Sequence, residues 1–355
     1  MKKFSFLVLS CLSLLACDFF EASTSAPQPV KTKHQHSILS FGTVIDITLI
    51  DVDPIIASQV FTTLDNDFAY WHKSWNPWQK GPLARVNTLI PTKAAFNLPL
   101  HIIPLISESQ RLFEQSEGLF NPAIGQLINL WQFHKYKEEG KQPPAESEIK
   151  SLVVANPGMN DLQLTNIQLQ SSNEHVSLNF GAFAKGFAIE RSMKTLRQFG
   201  INHAVINAGG DLKVIGQHKE RPWRIGIRHP RDKNSVIASV EAVNNESIFT
   251  SGDYERFFIF NGRRYNHILD PRTGYPADTS QSVTVIHDDA GIADAAATAI
   301  FVAGPDYWHR IAKKMGIKFV MLVAANDDIH MNPAMASRVK LNNINNASVK
   351  LSEAL

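Results

Sequence analysis

Between Leu162 and Asp288 the chain keeps returning to short, alternating, β-branched segments parted by glycine turns. This rhythm limits the fold more than any other feature of the sequence. "LQLTNIQLQ" and "HVSLNFG" read as the two strands of a hairpin, and "HAVINAGGDLKVIG" as strand, Gly-Gly turn and strand. "RPWRIGIRHP", "SVIASVEAV", "SIFTSG", "ERFFIFNGRRYNHILD", "SVTVIHD" and, later, "IKFVMLVAAND" add further strands, and "ILSFGTVIDITLI" supplies one near the start. Helical spacing appears at "PIIASQVFTTLDNDFAYWHKSW", with Pro54 placed to open a helix, and in "LPLHIIPLISESQRLFEQSEGLFNP" up to Gly118. "AFAKGFAIERSMKTLRQFG" reads as a helix stopped by Gly200, and "GIADAAATAIFVAG" and "PDYWHRIAKKMG" as two more. Helices mixed with antiparallel runs predict an α+β fold, with mixed or antiparallel sheets and packed helices in one domain.

At 355 residues and 44% hydrophobic content the chain can bury a substantial core. A net charge of +2 without a long Lys/Arg run excludes a nucleic-acid groove. The opening "MKKFSFLVLSCLSLLAC" has two lysines, a short apolar run and a small residue before Cys17, the layout of a secretory signal over residues 1–16. The run is shorter than the ~20 residues a spanning helix needs. Leu14-Leu15-Ala16-Cys17 looks like a bacterial lipobox, which predicts lipid on Cys17 and gives the remaining cysteine a reason to exist. Asp18 behind it, by likeness to lipoprotein sorting, implies retention at the inner membrane, facing the periplasm. Residues 17–37 read as a flexible tether and 38–355 as the catalytic domain.

Four stretches can carry chemistry. The glycines of "NAGGDLKVIG" permit positive φ and close backbone approach, or a plain hairpin. In "LNFGAFAKGFAIE" Lys185 sits in a first helical turn, where the dipole disfavours a cation; this points either to an anionic partner or to an exposed lysine at a poorly optimised helix start. In "GIADAAATAIFVAG" Asp294 and Thr298 share a helical face, and the alanines between them admit another backbone. A carboxylate, a hydroxyl and a carbonyl or two suit Mg²⁺ beside substrate phosphates. In "YNHILDPRTGYP" Asp270 before Pro271 is biased to extended geometry, and Gly274 and Pro276 close the turn. His267 is thereby pinned, as a general base or a packed core histidine would be.

Taken in order, "FGTVIDITL", "GPLARVN", "GLFNPAIGQLINLWQF", "LNFGAFAKGFAIE", "INAGGDLKVIG", "TSGDYERFF", "RYNHILDPRTGYP" and "ADAAATAIFVAG" resemble the ApbE family of flavin transferases, with the T-fold-related domain of that family. The resemblance implies an enzyme that binds FAD as substrate, uses Mg²⁺, and moves the FMN half onto a Thr or Ser hydroxyl with release of AMP. It implies an acceptor flavoprotein subunit of a membrane electron-transfer complex, of the Nqr or Rnf type. Carried over, Asp294 and Thr298 are side-chain ligands of the metal, Ala182 and Ala297 its carbonyl ligands, and His267 the base. Phe41, Trp78, Leu119, Phe120, Asn121, Asn179, Lys185 and Ile268 contact FAD, while Asp270 and Arg272 fix the turn that aims His267. Asn121 and Asn179 stand where many members have Asp, and Phe41 where Met is common, which lowers the negative charge near the flavin. The same site with water as acceptor gives an FAD pyrophosphatase, and without chemistry an FAD carrier.

Overall fold

The computed structural model describes residues 32–135, 141–342, 344 and 347–355. Its largest feature is a nine-stranded sheet: β1 (Thr32–Ser40), β2 (Thr43–Val52), β3 (Ala204–Ala208), β4 (Asp211–Ile215), β5 (Ser247–Gly252), β6 (Ser280–His287), β7 (Phe319–Ala324), β8 (Ile329–Met331) and β9 (Val349–Leu351). Spatial order follows chain order, and neighbours pair antiparallel from β1 to β8. Only β8 and β9 run parallel. The rest of the chain therefore hangs from the connections between consecutive strands.

One face of the sheet is covered by α1 (Pro54–Ser74), α2 (Ala184–Gln198) and α3 (Ala290–Lys314). Helix α1 starts where the sequence places it. Asp53 caps it by accepting from the Ile55 and Ile56 amides at 2.8 and 3.4 Å. Its buried positions Ala57, Val60, Leu64, Phe68 and Trp71 recur every three or four residues. Helix α3 joins the two predicted helices across a kink, because Gly304 leaves helical geometry (φ 69°) just before Pro305. The opposite face is packed by a smaller sheet of Trp223–Arg228, Val236–Ala242 and Val339–Leu341.

The structure departs from the sequence reading in four places. The strand expected from Ile38 to Ile50 is a hairpin, broken at Phe41 and Gly42 with φ of 52° and 75°. Its first strand starts at Thr32, inside the 17–37 stretch read as a tether, because this polar segment pairs along the edge of β2. "LQLTNIQLQ" makes a hairpin by itself, turning at Asn166 (φ 54°). Residues 175–181 form no strand with it. They bond instead to the loop 122–125, through Ser177 N–H to the Ala123 carbonyl (3.0 Å) and Asn179 N–H to the Pro122 carbonyl (2.8 Å). The stretch after "IKFVMLVAAND", to which the sequence reading assigns no separate element, supplies β8, β9 and the third strand of the small sheet.

Helices α2 and α3 meet at Gly186. A Cβ there would overlap the Ala290 carbonyl oxygen and lie 2.8 Å from Asp294 Cβ. The backbones can touch only because Gly186 and the alanines 293 and 295–297 are small. Gly186→Ala is expected to cost about 2 kcal/mol of stability through overpacking. An unchanged urea midpoint would show that the two helices have room to spare.

Candidate active site

The contact between α2 and α3 also places charge. Asp294, buried on α3, accepts the Gly186 N–H at 2.9 Å. Gly186 is the third residue of α2, so its N–H is one of the donors a helix start leaves without an intrahelical acceptor, and Asp294 satisfies it; the Ala182 carbonyl precedes the helix and lies outside its ladder. One position earlier, Lys185 forms a close ion pair with Asp211 and lies 3.7 Å from Asp294 Oδ1. Of the two readings of Lys185 the anionic partner holds, and it is two carboxylates. Burial opposes its charge, but Asp211 and then Asp294 outweigh burial and hold its pKa above the ordinary lysine value. Burial also dominates at Asp294, raising its pKa despite the pull of Lys185.

Asp211 was missed by the sequence reading, although it directly follows the Gly-Gly turn. That turn joins β3 to β4 with both glycines at positive φ. A Cβ on Gly209 would overlap the Thr43 hydroxyl, so the close approach allowed by the glycines is used. It leaves Asp211 at the head of β4, where its second oxygen accepts the Thr250 amide at 2.9 Å. One residue on, Ser251 Oγ lies 3.2 Å from Thr298 Oγ1, one turn along α3 from Asp294.

Four predicted metal donors thus sit on the adjoining ends of α2 and α3. The carbonyl of Ala182, just before the N-cap Phe183, the buried carboxylate of Asp294 and the Thr298 hydroxyl are hard oxygens, the kind Mg²⁺ takes together with phosphate. Ala297 is inside an unbroken helical turn, so its carbonyl has one lone pair to offer. The set fits the ion in donor chemistry. No cluster of three or more His, Cys, Asp or Glu suited to a metal occurs among the described residues.

His267 follows the last residue of the strand Arg263–Asn266, whose hairpin partner is Phe257–Phe260. Its N–H donates to the Arg256 carbonyl at 3.0 Å, and its Nδ1 is buried with no hydrogen-bond partner. Burial first, then the cations Arg256 and Lys185, push its pKa down to about 3. The turn behind it is fixed as predicted: Arg272 grips both carboxylate oxygens of Asp270, and the Gly274 amide bonds the Asp270 carbonyl at 2.8 Å. Ile268 is buried, with its N–H held by Asn266 (2.8 Å) and its carbonyl by the Ala277 amide (2.9 Å). A cleft of about 450 Å³ lies against this turn, lined by Arg263, Arg272, Tyr275 and Tyr307 among others and by none of the predicted flavin contacts.

The remaining predicted contacts fall into four groups. Phe41, at the tip of the β1–β2 hairpin, donates its amide to His72 Nδ1 (3.1 Å) and stacks on Trp75 at 6.0 Å. Asn121 and Asn179 are neighbours through Pro122 and spend their side chains on backbone: Asn121 on Pro157 and Ala123, Asn179 on Gly181. The side chains of Leu119 and Phe120 are in the core, so these two residues offer a pocket main chain more than side chain. Trp78 stands apart from these and stacks on His134, ring centroids 3.9 Å apart. Cys17 lies outside the described residues.

The sequence matches the model of the ApbE family over residues 41–321. It is 36% identical over 304 residues to a FAD:protein FMN transferase of Rhodobacter capsulatus, covering 84% of this chain and 57% of that protein. This chain therefore spans a little over half the length of that relative. It is 26% identical over 321 residues to a FAD:protein FMN transferase of Klebsiella pneumoniae, covering 88% of this chain and 90% of the other. Among solved structures it resembles the ApbE protein of Thermotoga maritima (TM-score 0.78, 28% identity) and the flavin transferase ApbE of Vibrio cholerae (TM-score 0.76, 25% identity); each match covers 86% of this chain and 99% of the other.

The depressed basicity of His267 has a pH signature. Its folded pKa is below the unfolded value of 6.5, so folding loses stability as pH falls from 6.5 toward about 3. His267→Gln should flatten that part of the stability curve. In the ligand-free protein the His267 ring protons should not titrate by NMR between about pH 5 and 8. A resonance with an ordinary midpoint near 6.5 would contradict the burial described above.

Proposed function

The chain belongs to the ApbE family, and on that premise we propose that it transfers the FMN half of FAD to a Thr or Ser hydroxyl of a target protein, releasing AMP. The observation that carries this reading is the bond from the Gly186 amide at the start of α2 to the buried Asp294 carboxylate of α3. It sets the Asp294 carboxylate and the Thr298 hydroxyl beside Lys185 and the main chain that enters α2 after Ala182. Asp294, Thr298 and the carbonyls of Ala182 and Ala297 would hold Mg²⁺, which when bound offsets negative charge on the pyrophosphate.

The protein's own groups account for the rest. Lys185, kept protonated by Asp211 and Asp294, supplies positive charge to a phosphate oxygen. The acceptor oxygen forms a bond to the phosphorus of the FMN half. The bond from that phosphorus to the bridging oxygen breaks, and its electron pair leaves on AMP. The acceptor proton goes to His267, whose Nδ1 is neutral and unpartnered. A base held at so low a pKa gains affinity for the proton when the anionic substrate offsets Arg256 and Lys185. Phe41 and Trp78, each already stacked on a neighbouring ring, offer aromatic faces to the flavin or the adenine.

In the same proposal the enzyme acts outside the cytoplasm. The signal-like start supports export, and an acylated Cys17 would hold it at the periplasmic face of the inner membrane, near flavoprotein subunits of electron-transfer complexes.

Incubation of the domain with FAD, Mg²⁺ and a Thr-bearing acceptor tests the reading. Covalent flavin fluorescence on the acceptor is expected. Free FMN instead would make the protein a pyrophosphatase, and unchanged FAD a carrier. Asp294→Ala should reduce transfer at least a thousandfold, on the order of 4 kcal/mol of transition-state stabilisation. Undiminished transfer in that variant would remove the metal assignment.

A further inference from the structure

Arg256 has entered so far only through its field on His267, yet its position is fixed from two sides. Its carbonyl accepts the His267 N–H at 3.0 Å, so base and arginine share one main-chain contact. Its guanidinium lies over the tip of the β1–β2 hairpin, with Nη2 3.1 Å from where a Cβ on Gly42 would stand. Gly42 has φ of 75°, so the hairpin tip needs glycine for its turn, and the missing Cβ also makes room for the guanidinium. Arg256 thus sits between Phe41, a predicted flavin contact, and His267, the predicted base.

Its charge is also unspent. Arg228, Arg231, Arg263 and Arg272 each face a carboxylate. Arg256 is exposed and makes no ion pair with a described residue. A guanidinium left without an acid beside a base and a bound lysine is arranged for an anion supplied from outside, and its planar fork suits phosphate oxygens. The fields of Arg256 and Lys185 both reach His267, and that of Arg256 also reaches His134 beneath Trp78.

We propose that Arg256 grips a phosphate of the dinucleotide substrate, opposite Lys185, and so orients the scissile bridge toward His267. This role rests on the transferase reading above.

Flavin fluorescence quenching can measure the affinities of FAD, FMN and riboflavin for the wild type, Arg256→Ala and Arg256→Lys, all without added metal. Arg256→Ala should weaken FAD about tenfold or more, the scale of one charge-assisted contact, and leave riboflavin within about twofold. Arg256→Lys should recover part of the FAD affinity, since it restores charge without the fork. Equal FAD affinity in the wild type and Arg256→Ala would overturn the proposal while leaving the transferase reading intact. So would an equal loss for riboflavin, which would mark Arg256 as a support of the fold. A wild type that binds none of the three would sink the transferase reading and this one with it.

Discussion

Two helices held in backbone contact by one glycine set the terms for everything around them. Gly186 allows α2 to reach the Ala290 carbonyl of α3, and Asp294 can then cap α2 from outside its own sequence neighbourhood. A carboxylate at a helix start is favoured by the dipole and by the orphan N–H it satisfies. Here it comes from a residue 108 positions away in the chain. The capping bond that stabilises the joint also holds Asp294 beside the start of α2, with Thr298 one turn along α3.

Charge around the joint is only partly balanced within the described residues. Lys185 is neutralised by two acids, so the fold tolerates it while burial withholds water. On the other side Arg256 makes no ion pair with a described residue, and burial, then the cations Arg256 and Lys185, hold His267 neutral. The site thus combines one paired cation, one cation without such a pair among the described residues and one imidazole of lowered basicity. Burial and like charge, not any special property of the residues, produce these states.

The sheet explains how such distant residues meet. Because its strands run in chain order, each connection starts and ends at adjacent positions and can hold an inserted unit without disturbing the register. The 53–203 insertion brings α1, α2 and the Asn121 and Asn179 loops, and the 253–279 insertion brings Arg256 and His267. The 253–279 insertion leaves from the sheet end that bears the Gly209-Gly210 turn, whereas the 53–203 insertion leaves from the opposite end and reaches Asp211 through Lys185 of α2. Binding residues ride on loops while the antiparallel ladder supplies rigidity.

Local chemistry was legible from the sequence: the start of α1 at Pro54, the Gly-Gly turn, the strands 247–252 and 319–324, the turn that Gly274 and Pro276 close, and the shared face of Asp294 and Thr298. Each depends on residues within a few positions, where spacing alone decides geometry. The sequence also raised an anionic partner for Lys185, because a helix dipole acts locally. Which anion answered was beyond it, since Asp211 and Asp294 come from other strands and helices. The loop pairing of 175–181 with 122–125, the edge strand at Thr32 and the placement of Arg256 beside Gly42 were equally out of reach. They arise from long-range hydrogen bonds and steric room between segments, and no short-range pattern encodes which distant backbone will come to share them.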